Sequence, residues 1–478
     1  MSRQRTFWLV FALALVGGLV VLATALRQGL DAGLFKQRLE TEASRALGME
    51  LRIGGDVNFT LRPGLALTLG DVHVRNRDAE IAVTKQVTLG VEALPLLLGE
   101  LRVTSLALSE PRLLIERALD GRFNIEPAAA ADAAAATLPA LSWPRVSVSG
   151  ASFSYADKRW ANRIDAVDCR IDMQDLRVAS ASLAKLVNDA SFTAEVACGE
   201  FRHGAIKVSD LKLKADAKHG VLEFKALTAQ AFDAPGTGEF VADFSGAQPI
   251  YRLDCSFKQV PIEELLKALS LQPAATGRVD FVASLSTQGR SGPELRQALA
   301  GHLTLRGHQL TLNGRDLDEA LSRFESSQRF SLVDAGAFFI VGPLGLVLTK
   351  GYDFANAYRG AGGTSAIQTL VSDWQFEHGV ARAQDVAMAT AKYRIALHGG
   401  LDVVHERFDD VSLALVDAEG CVTVQQRITG SFQKPVVEEP NLLHALAGPA
   451  LSLLRKARDL LPGAACNVFY AGSVPAPA

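Results

Sequence analysis

Cysteine and histidine are side chains that could hold a metal or carry a nucleophile, and in this chain neither is spaced to do so. Cys169, Cys198, Cys255, Cys421 and Cys466 include no C-x-x-C pair, which argues against a zinc or thioredoxin-type site. In an oxidising compartment some of them pair, and an odd count leaves at least one free. The histidines are dispersed. His302 and His308 lie around a run read as a hairpin turn with no third ligand nearby, so they are expected as exposed strand residues. Asp409-Asp410 and Glu438-Glu439 are paired carboxylates beside turns or before Pro440, better explained as solvated loops than as an acid–base pair. Gly360-Ala361-Gly362-Gly363-Thr364 resembles a phosphate cradle, but no strand leads into it and no lysine follows at Walker spacing, so it reads as a turn before a helix cap. No Walker, H-E-x-x-H, G-x-S-x-G or dinucleotide motif occurs. The expectation is a protein that is not an enzyme, with no catalytic, cofactor-binding or metal-binding residues.

The elements that would position any site are dominated by a period of two. Leu51, Ile53, Val57, Phe59 and Leu61 alternate with polar or glycine positions, and Leu65, Leu67 and Leu69 repeat the pattern after a Pro63-Gly64 turn. Val72 and Val74, Val87 to Val91, then Val103, Leu106, Leu108, Leu113 and Ile115 follow it, with a break at 94–100 and Pro111 marking an edge or strand start. It returns at Val146, Val148, Phe153 and Tyr155, at Ile206, Val208, Leu211 and Leu213, and at Leu222 and Phe224. Val279 and Phe281 carry it on, and Leu303 and Leu305 are read as facing Leu310 and Leu312 across an Arg306-Gly307-His308 turn.

Short helices are expected at Leu30 to Leu47, after Pro261 (Ile262, Leu265, Leu266, Leu269), after Pro293, and after an Asp316 cap (Leu317, Leu321, Phe324). Two more are expected after a Thr364 cap, placing Ile367, Leu370, Val371 and Trp374 on one face, and from Pro449 to Leu461.

The start of the chain gives an address. Phe7 to Leu26 holds no charged residue and is long enough to cross a bilayer core of ~30 Å as one helix. Ala23-Thr24-Ala25 also has the form of a signal-peptide cleavage site, so a cleaved leader is the rival to an uncleaved anchor; a secretory core of 7–15 residues is shorter than this run. Arg3 and Arg5 favour a cytoplasmic N-terminus, although Arg27 makes the asymmetry modest. Either way the bulk of the chain is exported. A 48% hydrophobic content excludes disorder for most of it, and a net charge of −3 without a basic stripe argues against a nucleic-acid partner. The residues divide into a tail at 1–6, the transmembrane helix at 7–26, an amphipathic connector at 27–48, a first β module at 49–125, an Ala/Pro-rich linker at 126–140, a central β region at 141–340, and a C-terminal region at 341–478 with a helix and tail.

Pro95-Leu96-Leu97-Leu98-Gly99 through Val103, and Leu106 to Ile115 around Glu110-Pro111, resemble the N-terminal module of the AsmA family. Gly342-Pro343-Leu344-Gly345, Lys350 to Phe354, Gly420-Cys421, Ile428 to Phe432 and Cys466 to Val474 resemble that family's closing segment. The resemblance covers nearly the whole chain and is weakest between Asp157 and Ala300. It implies a bacterial envelope protein, single-pass in the inner membrane with its body in the periplasm, related to bridge-like carriers with a long β-groove. The implied fold is mainly β with short helices: a transmembrane helix followed by an elongated, curled antiparallel β-sheet groove. The implied function is handling or conducting phospholipid, with a role in outer-membrane biogenesis; a non-enzymatic scaffold or assembly factor for outer-membrane proteins is the alternative. The implied partners are the inner membrane, phospholipid as ligand, and envelope assembly proteins, with no cofactor.

A sheet that curls without closing turns alternate side chains inward, so its apolar rows would line a trough in which each methylene sheltered from water is worth ~0.8 kcal/mol. Leu65, Leu67, Leu69, Val279, Phe281, Leu303, Leu305, Leu310 and Leu312 are the candidate lining; a sandwich closed on itself is the competing arrangement. With some 20 strands at ~4.8 Å the trough would run roughly 100 Å. Cys421, after Gly420 at a strand start, and Cys466, just past the last helix, are the favoured disulfide, stapling the tail to the sheet; closing about 45 residues is worth around 4 kcal/mol. Cys169 with Cys198 is the next pair.

Overall fold

The computed structural model describes residues 32–47, 49–60, 65–77, 79–92, 103–125, 137–138, 141–159, 162–178, 181–182, 186–204, 206–268, 275–314, 316–319, 321–322, 363–438, 466 and 468–477. The Phe7–Leu26 segment, most of the 126–140 run, the glycine-rich 360–362, the 342–354 motifs and the Pro449–Leu461 helix lie outside the described residues. The chain forms two compact units, Met1–Gln230 with Val241–Ala247, and Ala231–Phe240 with Gln248–Ala478. The Ala/Pro-rich run at 126–140 falls inside the first.

The first unit opens with α1 (Ala32–Leu47), followed by β1 (Glu50–Ile53), β2 (Val57–Thr60), β3 (Leu65–Asn76), β4 (Ala79–Val91), β5 (Val103–Ser109) and β6 (Arg112–Arg117). Next come β7 (Thr137–Leu138), β8 (Leu141–Asp157), β9 (Asn162–Val178), β10 (Ala181–Ser182), α2 (Leu186–Asp189), β11 (Ala190–His203) and β12 (Ile206–Lys218). β3 pairs with both β1 and β2 and with β4; β4 pairs with both β5 and β6; β8, β9, β11 and β12 then pair in succession. All of these are antiparallel. The β8 pairings with β5 and β6 are parallel, so the sheet is mixed rather than wholly antiparallel. A parallel neighbour needs a crossover of a dozen or more residues, and the chain between β6 and β8 supplies that length. Within it, β7 pairs with β10, so at 137–138 the alanine-rich run is strand.

In sequence β13 (Val221–Ala231) and β14 (Ala234–Asp243) follow. The second unit continues with β15 (Ile250–Pro261), α3 (Ile262–Ala268), β16 (Ala275–Thr276), β17 (Arg278–Gln288), α4 (Gly292–Gln297), β18 (Ala300–Asn313), β19 (Thr364–Glu377), β20 (Val380–Ala389), β21 (Arg394–Asp402), β22 (Arg407–Val416), β23 (Val422–Ser431) and β24 (Lys434–Val437). From β17 to β24, apart from the helix α4, each strand pairs antiparallel with the next, and β15 pairs with β17.

Two expectations are corrected here. The residues after Thr364 form the strand β19, not a helix. On one face its buried residues run Ser365, Ile367, then Leu370, Ser372, Trp374 and Phe376, with Val371 buried on the other, so a period-two row slips by one residue and the resulting three-residue step imitates helical spacing. Arg306-Gly307-His308 is not a hairpin turn; it lies within β18, paired on one side to β17 and on the other to β19. Gln309, at φ 52°, is the left-handed residue that shifts the parity, so that Leu303, Leu305, Leu310 and Leu312 all enter the same core.

Candidate functional site

The register of the first unit assembles apolar side chains that are scattered in sequence. Directly paired residues share a face, and residues two apart along a strand lie on that face too. One row starts with Val57, Leu69 and Val87, continues through Leu108 and Val148, and reaches Ile171, Val196 and Leu213. A second runs Phe59, Leu67, Leu89, Leu106, Val146 and Met173 to Ala194 and Ala215. A third runs Leu51, Val74, Ala82, Leu113, Phe153 and Ala166 to Phe201 and Val208. No polar residue interrupts any of the three. The intervening row, on the opposite face, is Asn58, Thr68, Thr88, Ala107, Ser147, Asp172, Glu195 and Lys214. The sheet is therefore apolar on one side and polar on the other.

Keeping the third row on the same face as the first two takes a device. Counted by twos, Ile164 and Ala166 would fall on the face opposite to Cys169, Ile171 and Met173. The chain avoids this by one extra residue along a common line: Asp71 of β3 (φ 52°), Glu110 between β5 and β6 (φ 51°), Gly150 of β8 (φ 64°), Asp168 of β9 (φ 53°) and Asp210 of β12 (φ 51°) are all left-handed. Gly199 of β11 lies opposite Asp168 and Asp210, as the flanking pairs Cys198↔Cys169 and Cys198↔Leu211 require. Aspartate and glycine suit this line because their left-handed conformation costs less than that of other residues. On the apolar side the seam carries Cys169 and Cys198, which are directly paired, disulfide-bonded with Cα atoms 4.0 Å apart, and 6% and 8% exposed.

One end of the face is closed. Leu39 of α1 packs on Ile53, Leu67, Leu69 and Val72, while Glu40 accepts from the Ile53 N–H at 2.7 Å and Ser44 accepts from the Leu51 N–H at 2.8 Å. Beyond α1 the first and third rows are only half-buried: Val148, Ile171, Val196, Leu213, Phe153, Phe201 and Val208 all retain partial exposure, and Leu113 is 37% exposed, whereas Val146, Ala194 and Ala215 of the second row are buried. At the β6–β8–β9 margin sits the buried Asp157, between Arg117 and Arg159 at 3.6 Å each. Burial pushes this carboxyl up, but the Arg159 N–H and side chain and the two positive charges together hold it below the usual range.

The candidate lining residues fall into different surroundings. Leu65 is half-buried, and Leu67 and Leu69 are buried in the α1 end of the first unit. Val279, Leu303, Leu305, Leu310 and Leu312 are deep in the second unit, packed with Ile262 and Leu266 of α3 and with Leu317 and Leu321, with Phe281 against them. They form a closed core. Asp316 caps the turn that delivers Leu317 and Leu321, its carboxylate accepting from the Glu319 N–H at 3.0 Å. The half-exposed rows through β9 and β11 escaped sequence reading because aspartate, cysteine and arginine break the alternation there; the aligned parity slips, such as Val208 to Leu211, were the available signal.

The second unit also buries its other face. Ala387, Ala389, Ala396, Ala414 and Val371 alternate with the core residues of β19–β22 and are covered by Tyr470 and Val474 of the tail. Tyr470 donates its hydroxyl to Asp385 at 2.6 Å, Ser473 donates its N–H and hydroxyl to the same carboxylate, and Arg394 stacks on the Tyr470 ring and donates to the Val474 carbonyl. Cys421 and Cys466 are bonded, fixing the start of this strap; Cys255 is free. Burial first, then Asp385, pushes the Tyr470 hydroxyl pKa up.

Among the described residues no group of three or more His, Cys, Asp or Glu side chains could hold a metal, and no helix is long and apolar enough to cross a membrane. His302 lies 2.8 Å from Asp373 and 2.9 Å from Gln375 on the strand surface. The family model described as the AsmA family matches residues 1–195 and 148–337. No curated protein and no solved structure matches the chain.

Proposed function

The chain belongs to the AsmA family and is accordingly an envelope-associated protein, and from that premise we propose that it handles phospholipid on the apolar face of its first unit. The observation that carries this reading is the set of three uninterrupted apolar rows, two of them left half-exposed beyond α1. A contiguous apolar surface of this kind has a use, since water contact is costly at about 25 cal/mol per Å². Acyl chains laid on it would recover that cost. The role is non-catalytic: the protein shelters and passes lipid in the service of outer-membrane biogenesis. The Phe7–Leu26 segment would anchor it in the inner membrane with both units in the periplasm.

The test is mass spectrometry of lipid extracted from purified, folded, full-length protein. Phospholipid in stoichiometric amount supports the reading; well-folded protein that is consistently free of lipid removes it. The closed core and latched tail of the second unit suit the second reading, a scaffold for outer-membrane protein assembly. Stable co-purification with assembly proteins in the absence of lipid would favour it.

A further inference from the structure

Among the described residues β1 pairs with β3 alone, so its other side is a sheet edge, and there its backbone groups are met by side chains of α1. Lys36, Glu40 and Ser44 stand four apart and form one stripe along the helix. Ser44 accepts from the Leu51 N–H at 2.8 Å and donates to the Leu51 carbonyl at 3.3 Å. Glu40 accepts from the Ile53 N–H at 2.7 Å, and Lys36 donates to the Gly55 carbonyl at 3.3 Å. These side chains stand in for a neighbouring strand. Covering an edge in this way keeps it from pairing with another chain.

The covered edge is complementary to itself. Leu51 turns both its N–H and its C=O outward, as the central hydrogen-bonded residue of an antiparallel pair must. Two copies related by a two-fold axis at Leu51 exchange both bonds between their Leu51 residues and set Glu50 of one protomer opposite Arg52 of its partner, twice over. Glu50 and Arg52 are 45% and 66% exposed at their side chains and are paired within the strand at 2.6 Å, so the same charges are free to turn across such an axis. Leu51 also begins the apolar row through Val74, Ala82 and Leu113, and directly paired residues share a face. Pairing at Leu51 therefore joins the rows of two copies end to end.

We propose that the outward edge of β1 is a strand-addition site for the same edge of a second copy, masked in this structure by the Lys36, Glu40 and Ser44 stripe of α1. The inference stands whatever the apolar face binds.

The test uses full-length protein in detergent. Glu50→Cys in one tagged chain and Arg52→Cys in another are mixed and oxidised with glutathione disulfide, which takes up the two electrons and two protons as it becomes two thiols. The expected product is a covalent pair joined between positions 50 and 52, identified by peptide mapping that tells it from linkages through Cys255. Glu50→Cys alone should not couple to itself. Glu40→Ala with Ser44→Ala removes the mask and should shift the monomer–dimer equilibrium in sedimentation toward the dimer by about tenfold or more. In that unmasked chain Arg52→Glu should weaken the dimer by about tenfold, and Glu50→Arg added to it should restore the dimer. Circular dichroism and a cooperative melt report folding; if the unmasked chain fails them, the cysteine pair, which leaves α1 untouched, decides alone. Absence of the 50–52 linkage, an unmasked chain that stays monomeric at every concentration, or a dimer indifferent to charge reversal overturns the inference.

Discussion

At the scale of single residues, the left-handed aspartates of the seam are the side chains on which the apolar face depends. Asp210 at φ 51° occupies a conformation that costs an ordinary L-residue about 1–2 kcal/mol, a cost glycine does not incur. Asp210→Gly should therefore be near neutral and Asp210→Val should destabilise by about 1–2 kcal/mol, read as a difference in chemical denaturation midpoints. A second residue, Asp402, sets an acid limit. Burial pushes its carboxyl up, but hydrogen bonds from the His405 N–H and ring and from the Arg407 guanidinium outweigh burial and hold it below the usual range. A depressed carboxyl contributes stability that is present above its unfolded pKa near 4 and is lost as pH falls through the folded value. Asp402→Asn should then cost about 2 kcal/mol at neutral pH, and the gap between variant and parent melting curves should close at acid pH. A gap that persists unchanged at acid pH would remove the ionic account.

At the scale of elements, the extra residue matters as a count more than as a type. Deleting Asp210 would leave β12 with unbroken alternation and turn Leu211, Leu213, Ala215 and Ala217 onto the polar face, or Ile206 and Val208 if the other half held its register. The deletion should be far more damaging than any substitution at that position, with loss of soluble protein or of a cooperative melt as the readout. The same slip explains what the sequence revealed and what it concealed. Period two was legible wherever a strand half was clean, and the Asp316 cap, α1, α3 and α4 were legible from their caps and spacing. The strand β19 was not, since Ile367, Leu370, Val371 and Trp374 satisfy a helical template once one residue is inserted. Nor was β18, where Gly307 looked like a turn yet pairs with Val279 and Leu370 inside a strand. The disulfide partners could be foreseen from their placement, but the pairing of Cys169 with Cys198 in mid-face depends on a register that no local pattern encodes.

At the scale of the whole molecule, the two units treat their apolar faces differently. The first leaves two of its rows half-exposed beyond α1, and the second fills one face with its own helices and the other with its tail. Closing a 45-residue separation, the Cys421–Cys466 bond is worth about 4 kcal/mol in chain entropy. Reduction should lower the stability of the second unit by that order and expose the tail to limited proteolysis, whereas continued protection would mean that the Tyr470–Asp385 contact latches it alone. Tyr470→Phe should cost about 1–3 kcal/mol, because Asp385 and the Val474 N–H each lose a partner.

The strap also sets an order of events. Asp385 and Tyr470 are 85 residues apart, and Ser473 reaches the same carboxylate across 88, so these contacts carry a heavy loop-closure cost and form late. Its covalent fastening needs oxidised thiols. Until the strap closes, the alanine-rich face that Tyr470 and Val474 cover stays open to water, so its closure is the step that completes the second unit.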